Sequence, residues 1–227
     1  MIGMTQQVRR APLTRDRVLR AAVTLADATG IDALSMRKLA QTLGVVPMAL
    51  YKHVANKEEL LDGMLDVLVG EIDPPAAAGD WRTAVRQRIL SARQVLLHHP
   101  WASRVIESRT VPTPVVLAYM DSMIGMFRTG GLSVDLTHHV MHAMGSRILG
   151  FSQELFGAPP SAPPPDAEIA RQMAGRYPYI TEITTRVAHD EASVVGSGCD
   201  DQFEFEFSLD LLLDGIEGLR LRGWTPR

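Results

Sequence analysis

Apolar residues recur along most of this chain at intervals of three and four, the spacing that gathers side chains on one face of a helix. After Thr14, the residues Val18, Leu19, Ala22, Leu25 and Ala26 form one such stripe, and Gly30 closes it as a C-terminal cap. A second, shorter stripe is Met36, Leu39, Ala40 and Leu43. Ser35 stands before it, with a hydroxyl able to accept a bond from an orphan backbone donor. Gly44 ends that helix and supplies the left-handed backbone of a tight turn, while the small Ala40 allows the next helix to cross closely. Leu50 and Val54 anchor the helix that follows. Asn56 then caps a fourth, whose first turn is Lys57-Glu58-Glu59 and whose apolar face is Leu60, Leu61, Met64, Leu65 and Leu68. Three helices and a connector are expected to fill residues 14–72.

Beyond residue 80 the same period continues in longer segments. Residues 81–97 carry Trp81, Val85, Ile89, Ala92, Val95 and Leu96, and His98-His99-Pro100 ends them. Further helices are expected over 115–128, broken by Gly130-Gly131, and over 135–156, with Leu136, Val140, Ala143, Met144, Ile148, Leu149 and Phe151 apolar. Others are expected over 166–176, 177–189 and 201–222. The proline-rich run 158–165 reads as a stiff non-helical loop, and 194–200 as a Gly-Ser loop. The alternation Phe203-Glu-Phe-Glu-Phe207 fits a strand, but its continuation into Leu209, Leu211, Leu212 and Leu213 favours helix. No internal repeat is visible. The fold class is therefore all-α.

Composition narrows the setting. A chain of 227 residues with 46% hydrophobic content can bury a core, and it exceeds one typical domain but need not hold more than two. The single Cys199 excludes an intramolecular disulfide, and the first ten residues lack the apolar stretch of a signal peptide. No apolar run approaches the ~18–20 residues of a membrane span. A cytoplasmic protein without membrane contact is expected. The net charge of -3 conceals an uneven distribution: residues 1–60 hold nine Lys and Arg against five Asp and Glu, whereas the remainder is acidic. Screening confines each field to roughly 10 Å at 0.1 M salt, so such a chain suits a protein that meets phosphate at one end only. Residues 1–13, with Arg9 and Arg10, read as a flexible basic arm, either a DNA contact or a solvated tail.

Two short helices hinged on one glycine, in the basic part of the chain, read as a DNA-binding helix-turn-helix over 14–60. With Leu50 and Val54 turned inward, Pro47, Met48, Ala49, Tyr51, Lys52 and His53 face outward or forward, where a recognition helix presents its groove-reading side chains. The segments Leu34-Ser35-Met36-Arg37-Lys38-Leu39-Ala40 and Leu50-Tyr51-Lys52-His53-Val54-x-Asn56-Lys57-x-x-Leu60-Leu61 resemble those of TetR-family transcriptional repressors. The second half resembles the C-terminal regulatory domain of tetracycline repressors, through Gly145-x-x-x-Leu149-Gly150-x-x-x-Glu154, Tyr177-Pro178-x-Ile180 and the 203–215 segment. The resemblance implies that Arg37 reaches a guanine edge, and that Tyr51, Lys52, His53 and Lys57 pack against the DNA backbone or bases and clamp phosphates. The plainer readings are Tyr51 as core, Lys57 as helix surface and Arg37 paired with a carboxylate. Pro47, Met48 and Ala49 depart from the polar residues of tetracycline repressors; they can press on thymine methyls but cannot read an adenine edge by paired hydrogen bonds. A different operator is expected.

Residues 61–227 are expected to bind an effector and to dimerise. The helices over 135–156 and 201–222 carry more apolar surface than a monomer leaves in water, and the resemblance implies that they pair across a two-fold axis as a homodimer on a palindromic double-stranded operator. Met120, Met123, Met126, Met141 and Met144, with Phe127 and Phe151, are adaptable enough to line a pocket for a small molecule, although methionines equally fill cores. Arg104, His138, His142, Arg147 and Glu154 are polar groups among these faces that can orient a ligand; Arg109 belongs with them. His138 and His142 stand at metal-ligand spacing, but without a third ligand no metal or other cofactor is expected. Glu154 matches a family glutamate near the drug's magnesium, while Val105 stands where the metal-binding histidine does. The resemblance thus implies a kept architecture and an exchanged ligand. The expected mechanism is release of DNA when the effector selects another conformer, with the reverse polarity open. Two other classes remain: a structural dimeric DNA-binding protein without a ligand, and an all-α enzyme with a DNA-binding module, using His98, His99, His138 and Glu154. No nucleophile spacing supports the enzyme, and Ser197 lacks the strand-to-helix context of a nucleophile elbow.

Overall fold

The computed structural model describes residues 12–75, 79–150, 172, 175–179, 181–182 and 201–226, with side chains left undescribed over 146–150 and at 201. Its elements are α1 (Arg15–Thr29), a 3-10 turn (Ile31–Ala33), α2 (Met36–Leu43), α3 (Pro47–Leu50) and α4 (Lys57–Glu71). They continue with α5 (Trp81–His98), α6 (Ala102–Ser108), α7 (Pro114–Thr129), α8 (Val134–Gly150) and α9 (Asp201–Leu221). The fold is all-α, and no strand occurs among the described residues. The stretch 203–207 is helical, as its apolar continuation predicts.

Each early helix starts where its capping residue puts it. The side chains of Thr14, Ser35 and Asn56 accept from the backbone N–H groups of Arg17, Lys38 and Glu59, each removing one orphan donor at a helix start. Gly44 adopts φ 66, ψ 36, the left-handed conformation that an L side chain avoids. The chain then turns from α2 into α3.

Packing divides the chain into two compact units, Met1–Gly130 and Gly131–Arg227. In the first, α1 packs on α2 and α4. Gly63 of α4 makes the α1 contact close, since a Cβ there would meet a Leu19 methyl at 2.6 Å. The core formed by Val18, Leu39, Leu50, Leu60 and Met64 also takes in Val95, Trp101, Ala102 and Val105, from α5, α6 and the turn between them. The expected boundary at 60/61 is thus not where packing divides, because α4 shares one core with both sides. In the second unit α8 contacts α9. Leu136, Val140 and Met144 of α8, and Phe205, Leu209, Leu213 and Ile216 of α9, are buried.

Two sequence expectations change. The helix α6 was not anticipated: it is seven residues long, begins directly after the Pro100 turn and has no side-chain cap. The recognition helix is shorter than a reading through Val54 suggests. Regular helix ends at Leu50, after which His53 N–H and Val54 N–H both donate to Leu50 C=O, at 2.8 and 3.0 Å, closing a final tight turn. Among the expected helices over 166–189, the described positions 172, 175, 176, 178, 179, 181 and 182 are helical. The arm residues 1–11, including Arg9 and Arg10, the loops over 158–165 and 194–200, Ser197, Cys199, Phe151 and Glu154 lie outside the described residues. So does the side chain of Arg147.

Candidate nucleic-acid interface

Burial separates the two faces of the helix-turn-helix cleanly. Leu39, Ala40, Leu50 and Val54 are at most 1% exposed, and they fasten α2 and α3 to the core. On the other side Val46, Met48 and Tyr51 are 68%, 72% and 44% exposed. Arg37, Pro47, Lys52 and Lys57 are exposed too, while Ala49 and His53 are half-buried. Tyr51 is therefore a surface aromatic rather than core. Pro47 occupies the first turn of α3, where its missing N–H costs no hydrogen bond. Arg37 pairs with no carboxylate among the described residues, and neither does Lys52. Together these side chains form a cationic surface with an apolar front, fit for phosphate oxygens and thymine methyls.

The reader is braced from behind. Asn56 Oδ1 accepts from Glu59 N–H at 2.8 Å while Glu59 Oε2 accepts from Ala55 N–H at 2.6 Å, so the chain leaving α3 is tied in both directions to the start of α4. The Ala55 bond, aided by Arg15 at 3.4 Å, holds the Glu59 carboxyl below its ordinary 4.5. Lys57, at the head of α4, adds its charge to the lowering of Asp32, whose main partner is Arg104.

Polar bonds also link this reader to the helices after it, and sequence spacing gave no sign of them. His99 is buried at the end of α5, with Nδ1 2.8 Å from Asp27 Oδ1 and Nε2 3.1 Å from Glu71 Oε2. Trp101 Nε1 donates to the same Asp27 oxygen at 2.6 Å. Burial pushes the imidazole pKa down, but the bonds and charges of Asp27 and Glu71 outweigh it and hold the group above 6.5. A protonated ring donating from both nitrogens accounts for the geometry. Arg109 reaches Glu58 and Asp62 of α4, and Thr113 Oγ1 donates to Asp66 Oδ1 at 2.5 Å. His98 Nδ1 lies 2.7 Å from Gln94 C=O on the exposed surface.

The residues expected around an effector are not all brought together. Met123 and Phe127 are buried on the inner side of α7, where Phe127 meets Trp81 at 5.9 Å between ring centres. Met120 is 41% exposed, on a different face with Leu117 and Ile124. Arg104 lies on the exposed surface of α6, its Nη1 and Nη2 donating to Asp32 at 2.8 and 3.1 Å. Arg109 is similarly committed to α4. In the second unit Met144 is buried and Met141 half-buried, whereas His138 and His142 are exposed with rings 4.7 Å apart. No group of three metal-ligating side chains occurs among the described residues.

Comparison with known proteins divides the chain between residues 64 and 73 rather than at the packing boundary after Gly130. The model for bacterial regulatory proteins of the tetR family matches residues 18–64, and that for the tetracyclin repressor-like C-terminal domain matches residues 73–220. The chain is 33% identical over 222 residues to the HTH-type transcriptional repressor DrrR1 of Streptomyces coeruleorubidus, spanning 91% of this chain and 78% of that one. It is 28% identical over 214 residues to the class C tetracycline repressor protein of Escherichia coli, covering 92% and 93%. Among solved structures, ActR of Streptomyces coelicolor in complex with actinorhodin superposes with TM-score 0.67 at 26% identity, covering 92% of this chain and 98% of that one.

Proposed function

The chain belongs to the tetR family of bacterial regulatory proteins, and from that premise we propose that it is a ligand-responsive repressor, a homodimer that holds a two-fold symmetric DNA operator and lets go when a small molecule binds. The observation that carries this reading is the exposed face of α2 and α3, where Arg37, Met48, Tyr51 and Lys52 stand outward on a braced scaffold. Residues 14–60 read DNA and residues 61–227 bind the effector and dimerise. No helix among the described residues is long and apolar enough to cross a membrane.

Dimerisation is supported by α9. Its inner stripe is buried, yet Phe203, Phe207 and Leu211, one turn apart on another side, are 63%, 52% and 57% exposed, with the two phenyl rings stacked. A row of that size left in water is costly, and a second copy would cover it. Two symmetric readers then sit about one DNA turn apart, ~34–36 Å. An effector is supported by ActR, solved with actinorhodin, and by the repressors among the relatives. Moving such a dimer from 99:1 to 1:99 requires ~5.5 kcal/mol of differential affinity.

Selection of random DNA duplexes on the purified protein, at low and at physiological salt, tests the reading. Recovery of a two-fold symmetric site is expected. Binding that depends on salt alone and ignores sequence would move the assignment to an architectural DNA-binding protein.

A further inference from the structure

The interior of the first unit contains a cation that no carboxylate among the described residues neutralises. Arg88 projects from the α5 face that also buries Val85, Ile89 and Ala92, and it is 9% exposed. Its guanidinium lies over the Tyr119 ring of α7, 4.9 Å from the centre, and Nη1 donates to the backbone carbonyl of Asp73. Nε is buried with no hydrogen-bond partner, and no carboxylate pairs with Arg88 among the described residues. Unlike a buried lysine, an arginine cannot escape by losing its proton. A ring face and one carbonyl are weak compensation for a desolvated full charge. Sequence reading missed the residue because one Arg on an apolar stripe resembles a chain reaching for solvent.

We propose that Arg88 is the anchor for a carboxylate carried by the effector, so that the natural ligand is an organic acid with an apolar, aromatic-rich body. The inference rests on reading this chain as an effector-binding regulator and names the chemistry of that effector. Nε and the neighbouring Nη2 offer the side-on fork that matches two carboxylate oxygens. Burial keeps the Tyr119 phenol above its ordinary 10, more than the Arg88 charge lowers it, so the ring facing the guanidinium is a neutral phenol. Met123 and Phe127, buried one and two turns further along α7, and Trp81 against Phe127 make the neighbourhood of this arginine apolar and aromatic. The charge and the apolar surroundings favour one class of ligand: a neutral polycycle would leave Arg88 unpaired, and a small inorganic anion would gain nothing from the aromatic neighbours.

The test uses the purified full-length protein with two matched probe pairs, 2-naphthoate with 2-naphthamide and anthraquinone-2-carboxylate with its carboxamide. Tryptophan quenching gives the affinities, and a thermal melt gives the stability of wild type, Arg88→Met and Arg88→Lys. At least one acid should bind tenfold or more tighter than its amide. Arg88→Met should abolish that preference while melting no lower than wild type without ligand, because it removes an uncompensated buried charge. Arg88→Lys should keep part of the preference. A clear drop in the ligand-free melting temperature of Arg88→Met would show that the protein already supplies the counter-charge, and would overturn the proposal. Equal binding of acid and amide would overturn it too, while leaving the effector reading intact. Binding of neither member of either pair, with no release of the selected DNA by any of the four compounds, would count against both.

Discussion

At the scale of single residues, two side chains have separable duties. Arg37 stands exposed on α2 without a carboxylate partner among the described residues, so its fork is available to a guanine edge. Arg37→Ala should lose about 1–3 kcal/mol of discrimination at one base pair of each half-site, measured by anisotropy titration of the selected operator against single-base variants. A uniform loss across all sequences would instead make it a phosphate contact. His99 makes a different prediction. Its folded pKa is raised above 6.5, so its contribution to stability is fully present below the unfolded value and is lost as pH rises through the folded value. The melting temperature of wild type should therefore fall relative to His99→Gln as pH increases from 6 upward through that raised value. Parallel curves for the two proteins would contradict the imidazolium assignment.

At the scale of elements, the caps and the close contact between α1 and α4 decide whether the reader is held in shape. Asn56→Ala should cost about 1 kcal/mol of stability in a denaturant titration, since it strips the N-cap from α4. Gly63→Val should cost more, because even a Cβ would stand 2.6 Å from the Leu19 side chain, and overpacking of a filled core typically costs about 1–3 kcal/mol. These local features were the legible part of the sequence. Ser35, Gly44 and Asn56 each act within one helical turn, and each does in the structure what its type and position predict. The helix α6 escaped because seven residues hold too few periods to stand out, although Ala102 and Val105 are buried three apart. The bonds from His99 to Asp27 and Glu71 span 72 and 28 residues, and Arg104 found Asp32 across 72. Such pairings arise only once tertiary packing brings distant helix ends together. No periodicity encodes them.

At the scale of the whole molecule, the proposed function depends on duplication. If the exposed row on α9 is covered by a second copy, Phe207→Glu with Leu211→Glu should give a monomer at micromolar concentration in sedimentation velocity. That monomer should bind the operator far more weakly, because one reader then loses the linked contribution of the other. A dimer that survives both substitutions would place the interface elsewhere. The central claim is that two copies of the α2–α3 face read one DNA site together, and hydroxyl-radical footprinting of the selected duplex tests it most directly. The account predicts two protected patches related by a dyad, their centres about one helical turn, ~34–36 Å, apart. A single protected patch, or protection spread evenly along the duplex, would contradict it.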